Sequence, residues 1–367
     1  MIDHSLYKEK SIQGRYINME AIQPCFAKLP FPLLHIGDSV RGVEINAFKL
    51  GQGTKKVLMW SQMHGNESTT TKAVWDMVNF LQSGEPLAHD ILKECSIMVV
   101  PMLNPDGANV YTRENINKVD LNRDAKNLTQ PESIALRGLF ESFQPDFCFN
   151  LHDQRTLFSA GNTNKSATVS FLSPASNAER HITPPREIAM KLIVGMNTML
   201  QKYIPGQVGR YDDGFNDNCV GDTFQMLGVP TVLFESGHYP GDYEREKTRE
   251  YIFLSILEAL KIVANDGVEN YKTGDYFSIP GNRKLFFDIL IKNPEVVNPV
   301  IEKGYKVGIR FKEVLRDNKV IFKPEITEIG PLEGFYGHQE IECIDTKDFG
   351  FTPSQQELID LLQKIEK

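Results

Sequence analysis

The chain has no run approaching the roughly 18 to 20 apolar residues that a membrane-spanning helix requires, so no span is expected. Its first residues, "MIDHSLYKEKSIQGRY", lack the basic-then-apolar order of a secretory leader, which makes the cytoplasm the expected compartment. Basic tracts are missing as well. With a formal net charge of −8, nucleic acid is not an expected partner. The charged cluster "EREKTRE" reads as the solvated face of a helix. The five cysteines are odd in number, scattered and never spaced C-x-x-C, which argues against a disulfide framework and a zinc ribbon. Cys148, inside "DFCFNL", reads as core filling. There is no G-x-S-x-G elbow and no cysteine with an obvious base, so serine and cysteine hydrolase chemistry finds no support.

What is present is ordinary in bulk and ordered in pattern. The 367 residues, 41% hydrophobic and 24% charged, suffice for one large domain with a sizeable core and a smaller companion. Between about residue 40 and residue 264, strand-like and helix-like segments alternate. "VEINAFKL", "KKVLMWS", "CSIMVVPML", "DFCFNL" and "VPTVLFE" are predicted strands, short, apolar and rich in β-branched residues. Ala73, Val74, Met77, Phe80 and Leu81 share one helical face, as do Ile188, Leu192, Met196 and Met199. Residues 242–263 are predicted as the longest helix, with an acidic first turn that suits the helix dipole. The alternation predicts an α/β fold, a mixed but mainly parallel sheet with helices on both faces. After "ANDGVEN" the runs "RKLFFDILI", "YKVGIRF" and "KVIFKPEITEI" are punctuated by Gly, Pro and Asn, until "PSQQELIDLLQKIEK" closes the chain. The expected division is a catalytic domain over 1–265 and a small β-rich domain, ending in a helix, over 266–367.

In open α/β sheets, functional residues gather beyond the carboxyl ends of the strands. There "KKVLMWS" is followed by His64-Gly-Asn-Glu67, "IMVVPML" by "NPDG", "DFCFNL" by His152, and "TVLF" by Glu235. Two imidazoles and a carboxylate make a catalytic zinc site, with a fourth position left for water. Alone, H-x-x-E arises often by chance, and a lone strand-end histidine is more often structural. Their joint placement, with a further carboxylate, is what points to a metal.

With these residues quoted, the chain resembles the zinc carboxypeptidases of the carboxypeptidase A type, in a short bacterial-like form. "HGNE", "NPDG", "TRENINKVDLNRD", "NLHD" and "TVLFESG" occur in the family's order over residues 57–240, and "NPDG" followed by "VDLNR" is the most distinctive pair. The resemblance implies one zinc ion held by His64, Glu67 and His152. It implies that Asp120 hydrogen-bonds the first histidine, that Glu235 is the general base, and that Arg113 stabilises the oxyanion. Asn122 and Arg123 would grip the free carboxylate of a peptide substrate, which makes the implied enzyme an exopeptidase acting at the C-terminus. Tyr211 matches the family's mobile tyrosine, with Phe215 as the competing alignment. Gly221 would floor the side-chain pocket, near Cys219, Val220 and Thr223, and Asp213 and Asp217 are candidates for contact with a basic group.

Two departures bear on specificity. Asn66 stands where many digestive members carry arginine, and the stretch from Glu67 to His152 is shorter than in those enzymes. The related aspartoacylase and succinylglutamate desuccinylase group, acting on N-acyl amino acids, is the alternative reading. "NPDG", "VDLNR" and "FESG" favour the carboxypeptidase side. A protein that binds zinc or peptide without catalysis is a third reading, weakened because all four essential positions are filled.

Overall fold

All five predicted apolar runs enter one sheet, and burial on both faces explains why the four central ones, unlike the half-exposed "VEINAFKL", read as unbroken hydrophobic stretches. The computed structural model describes residues 2–343 and 353–365. Met1, 344–352 and 366–367, all inside the expected domains, lie outside the described residues. Helix α1 (Met19–Ala27) precedes β1 (Leu34–Asp38), β2 (Glu44–Leu50) and β3 (Lys55–Ser61). Helices α2 (Thr69–Leu81) and α3 (Pro86–Glu94) lead to β4 (Cys95–Val100), and α4 (Pro105–Val110) and α5 (Pro131–Phe143) lead to β5 (Phe147–Asp153). Then come β6 (Ser159–Ala160), β7 (Val169–Leu172), α6 (Pro184–Leu200), β8 (Val208–Arg210), α7 (Val220–Met226), β9 (Thr231–Ser236) and α8 (Glu246–Ala264).

The strand order is β1-β2-β4-β3-β5-β9-β7-β8. The central strands β4, β3, β5 and β9 run parallel, and antiparallel pairings attach the flanks. On one face Val57 and Met59 meet Val74 and Met77 of α2 and Phe253 and Ile256 of α8. On the other, Leu58 and Trp60 meet Leu136 and Phe140 of α5 and Phe224 of α7. The α/β fold with helices on both faces is thus the one observed. Helix α8 starts at Glu246, four residues later than predicted. Arg245 adopts a left-handed conformation, φ 58°, which ends any helix before it. The Asp242 carboxylate accepts the N–H groups of Glu246 and Lys247, so it caps the helix from outside.

The residues just after 265 stay with the first core. Tyr276 of the short α9 (Thr273–Tyr276) and Ile279 are buried in it, and β10 (Asn282–Arg283) pairs with β6. A second sheet follows, of β11 (Phe286–Lys292), β12 (Lys306–Arg316), β13 (Lys319–Gly330) and β14 (Tyr336–Glu342), in the order β13-β12-β11-β14. Its own core joins Ile289, Ile291, Val307 and Ile309 to Leu358 and Leu362 of α10 (Pro353–Gln363). Pro324 is tolerated because β13 is an edge strand. This sheet leans on the loops that leave β5 and β9. Tyr243 packs its ring against Phe311 and Phe322, at 5.2 and 5.3 Å, and donates its hydroxyl to Asp288 at 2.9 Å. His338 packs at a tilt against His238, with ring centroids 4.1 Å apart, and bonds the Thr156 carbonyl at 2.7 Å through Nε2. Among the described residues, no helix is long and apolar enough to cross a membrane.

One buried ion pair ties the N-terminal segment to two helices. Asp76 of α2, fully buried, accepts Nε and a terminal nitrogen of Arg249 of α8, both at 2.6 Å. The same carboxylate accepts the Glu9 N–H at 2.7 Å and lies 2.7 Å from His4 Nε2. Removing it deprives a guanidinium with no exposure to water of its two shortest bonds, leaving Glu246 at 3.1 Å as its carboxylate partner among the described residues. Asp76→Ala should therefore cost about 3–5 kcal/mol in urea unfolding. A loss below about 1 kcal/mol, the range of a surface pair, would contradict the assignment.

Candidate metal centre and active site

The loop carrying "HGNE" is shaped by its contact with "NPDG". Gln62 turns the chain out of β3 in a left-handed conformation, φ 49°. Asn104 then donates Nδ2 to the Met63 carbonyl at 3.1 Å and accepts the Gly107 N–H at 2.8 Å. The loops touch so closely that a Cβ on Gly65 would lie 2.0 Å from the Gly107 carbonyl carbon. Glycine at 65 is a steric requirement, and the joint occurrence of the two motifs follows from that contact.

His64, Glu67 and His152 converge. All three are buried, and one ligand atom from each lies within 4.8 Å of the others. His64 Nδ1 is 2.9 Å from Glu67 Oε1, His152 Nδ1 is 2.9 Å from Glu67 Oε2, and the two Nδ1 atoms are 3.1 Å apart. His64 Nε2 lies 3.0 Å from Asp120 Oδ1, so a proton on Nε2 leaves Nδ1 as a lone pair facing the centre. Two imidazole lone pairs and a carboxylate directed at one point fit a divalent cation with an open coordination position. Burial would raise Glu67, but the two histidines more than offset it and hold its carboxyl well below the usual range. Burial pushes His152 down, favouring the neutral imidazole that a metal ligand needs. Asp120, although burial opposes it, is held low by His64 and Arg113.

The other predicted residues surround this centre. Glu235 is the register partner of His152 across β5 and β9, and its Oε2 is buried without a hydrogen-bond partner. Burial, then the charges of Glu67 and Asp153, push its carboxyl well above the usual range. Arg113 donates to Asp120 at 3.0 and 3.1 Å and to Glu67 at 3.3 Å. Tyr211 is near enough that Glu235 and Glu67, after burial, are the next causes of its raised hydroxyl pKa. Asn122 accepts the Val220 N–H at 3.1 Å and the Cys219 thiol at 3.3 Å, so its side-chain oxygen is engaged by the start of α7. Arg123 is exposed, and among the described residues its guanidinium donates to the Asn122 carbonyl alone, at 2.7 Å. Gly221 sits against Pro174, whose Cγ would be 2.7 Å from an added Cβ. Asp213 is ion-paired with Arg180 and Arg186, and Asp217 with Lys126.

Several residues at the site carried no sequence signal. Asp153 donates its N–H to Glu67 Oε2 at 3.1 Å and accepts the Thr69 N–H at 3.0 Å, bracing both the ligand and the start of α2. Arg245, buried, binds the carbonyls of Ser236 and Gln154 and so joins the loops after β9 and β5. A cavity of about 600 Å³ opens beside Asn66, Glu67 and Arg113, and its far wall is the β12–β13 hairpin. Glu313 of that hairpin reaches across to Arg15 at 3.1 Å and accepts the Tyr111 hydroxyl at 2.5 Å. Asp153 lies inside the quoted "NLHD" and Arg310 inside "YKVGIRF", without a local sign of these contacts. Arg245 belongs to "EREKTRE", where the expected solvated face is corrected, because Arg245, Thr248 and Arg249 are buried and only Glu244 and Lys247 are exposed.

A family model described as zinc carboxypeptidase matches residues 31–218, just over half of the 367-residue chain. His64, Glu67, Arg113, Asp120, His152 and Tyr211 fall within the match, and Glu235 lies beyond it. Carboxypeptidase 2 of Trichophyton rubrum is 27% identical over 133 residues, 36% of this chain and 23% of that protein. Carboxypeptidase D of Mus musculus is 25% identical over 349 residues, 76% of this chain and 25% of that protein. The chain thus spans about a quarter of the length of these curated relatives. Among solved structures, a metallo-carboxypeptidase from Burkholderia cenocepacia superposes with a TM-score of 0.55 at 18% identity, covering 68% of this chain and 70% of that one. Thrombin activatable fibrinolysis inhibitor gives a TM-score of 0.55 at 16% identity, covering 73% and 77%. These two likenesses concern the fold. The family match carries the conclusion that the chain belongs to the zinc carboxypeptidase family.

Proposed function

We propose that this chain is a zinc-dependent metallocarboxypeptidase that hydrolyses the C-terminal amide bond of a peptide bearing a free carboxylate. The observation that carries this reading is the convergence of His64, Glu67 and His152 next to a buried carboxylate, Glu235, with an unpartnered oxygen. A zinc ion held by these three ligands would supply Lewis acidity to a water molecule and to the scissile carbonyl.

The chain's own residues do the rest. Glu235 Oε2 takes the proton from the attacking water and delivers it to the leaving amine. Its raised pKa, lowered again by a nearby cation, suits both transfers. Arg113, close to both Glu67 and Asp120, presents a guanidinium to the oxyanion that develops on the carbonyl oxygen. Asp120 acts through His64 and fixes its tautomer. Arg123, exposed and without a carboxylate partner among the described residues, and Asn122 hold the substrate's terminal carboxylate. Tyr211 closes over the bound terminus, while Gly221, packed against Pro174, shapes the side-chain pocket through the backbone of α7 and opens no space of its own.

Metal analysis of the purified protein should find about one zinc per chain, and His152→Ala should reduce that stoichiometry severalfold. Full zinc occupancy in that variant would remove His152 from the ligand set. Peptide hydrolysis should disappear with a chelator and return with zinc. Glu235→Gln should keep the metal while kcat falls by about 10²–10⁴-fold; undiminished turnover would displace Glu235 as the base. Arg123→Ala should raise KM about tenfold or more, with a smaller effect on substrates whose terminus is amidated. Equal KM changes for free and amidated termini would contradict the clamp.

A further inference from the structure

The cavity beneath the β12–β13 hairpin is lined by six cations, of which Arg15, Arg113 and Lys312 have carboxylate partners. Its carboxylates are already committed. Asp153 binds the Thr69 N–H and the Ser236 hydroxyl, Asp288 binds Tyr243 and the Phe311 N–H, and Glu313 binds Arg15 and Tyr111. Glu325 lies 3.6 Å from Lys312. That leaves Arg155 and Arg310, both lining the cavity, with no carboxylate at ion-pair distance among the described residues. Arg310 lies over the Phe287 ring, 5.1 Å from its centroid, and its Nε is buried without a partner. Two further wall residues, Arg15 and Arg245, are each at least 95% buried, with relative exposures of 4% and 1%. Each also has an Nε that lacks a hydrogen-bond partner. A carboxylate is already stable in this field. Although burial opposes it, Glu313 is held below its usual range by Arg15, Arg245, Tyr111 and Arg155.

The cavity's position says which part of a substrate meets these cations. It shares Asn66, Glu67 and Arg113 with the metal centre but includes none of Asn122, Arg123 and Gly221. If the leaving residue is held by Asn122 and Arg123, the cavity receives the group on the other side of the scissile bond. We propose that Arg155 and the hairpin's Arg310 form a subsite for a carboxylate carried on the acyl side of the substrate. The orientation rests on the carboxypeptidase reading above. The carboxylate comes either from the side chain of an α-linked acidic residue or from the α-carboxyl of a γ-linked glutamyl group. Asn66 fits this account, because a neutral side chain in the cavity wall leaves the anion to the two arginines.

Calorimetric binding of acyl-side product acids tests the subsite without requiring turnover. The purified protein should bind N-acetyl-L-glutamate about tenfold or more tightly than N-acetyl-L-glutamine, the expectation for one charge-assisted contact. The double variant Arg155→Gln, Arg310→Gln should bring that ratio to about one. Arg155→Glu alone, at an exposed position, should also abolish the preference, which keeps the test decisive if the double variant does not fold. Equal affinities in the unmodified protein, or a preference that survives all these variants, would overturn the subsite. Hydrolysis of α-glutamyl-phenylalanine, γ-glutamyl-phenylalanine and glutaminyl-phenylalanine then identifies the source of the carboxylate. A binding preference with no hydrolysis of any peptide would keep the subsite and overturn the carboxypeptidase reading. Hydrolysis of all three at equal rates, with equal binding, would do the reverse.

Discussion

The arrangement depends most on the parallel register of three central strands. His152 and Glu235 are direct partners across β5 and β9, and Ser61, at the end of β3, is the partner of Leu151. Partners in a sheet point to the same face, so this register places the third metal ligand and the buried carboxylate side by side. It also aims the chain leaving β3 at both of them. A slip of one residue would turn either side chain to the opposite face. The register cannot slip because β3, β5 and β9 are buried on both faces by apolar side chains that would have to move with it. The site inherits its precision from the core.

The second dependency is the contact between the two loops beyond β3 and β4. Asn104 grips the Met63 carbonyl, and Gly65 and Gly107 let the backbones meet. Without that approach, His64 and Glu67 would sit on a free turn with no fixed relation to His152. The glycine and asparagine of these motifs are therefore scaffolding for the ligands between them. Asp153 plays a comparable part from β5, holding Glu67 and the first turn of α2 through one residue.

How much of this was legible in the sequence follows from the range of each interaction. The central strands were readable because double-sided burial leaves continuous apolar runs. The ligands were readable because a strand end concentrates function into a few adjacent positions. The edge strands β1 and β8, and β7 beside β8, escape a sequence reading because they are short and lack such runs, and α3, α5 and α7 because their apolar faces are brief. The start of α8 was misplaced because Asp242 was read as part of the first turn when it caps from outside. Arg15, Arg245, Arg310 and Glu313 had no local signature. They are separated by up to about 300 residues and acquire meaning only when the second sheet closes over the loops after β5 and β9. That closure, made by Tyr243, His238 and their aromatic partners, turns an open cleft into a walled cavity.

The most direct test of the central claim is anomalous diffraction at the zinc edge from zinc-soaked crystals of the protein. The account predicts one strong peak about 2.0–2.2 Å from His64 Nδ1, His152 Nδ1 and a Glu67 carboxylate oxygen, with Glu235 nearby but outside bonding distance. A peak at any other cluster, or a well-ordered triad with no peak at saturating zinc, would contradict it.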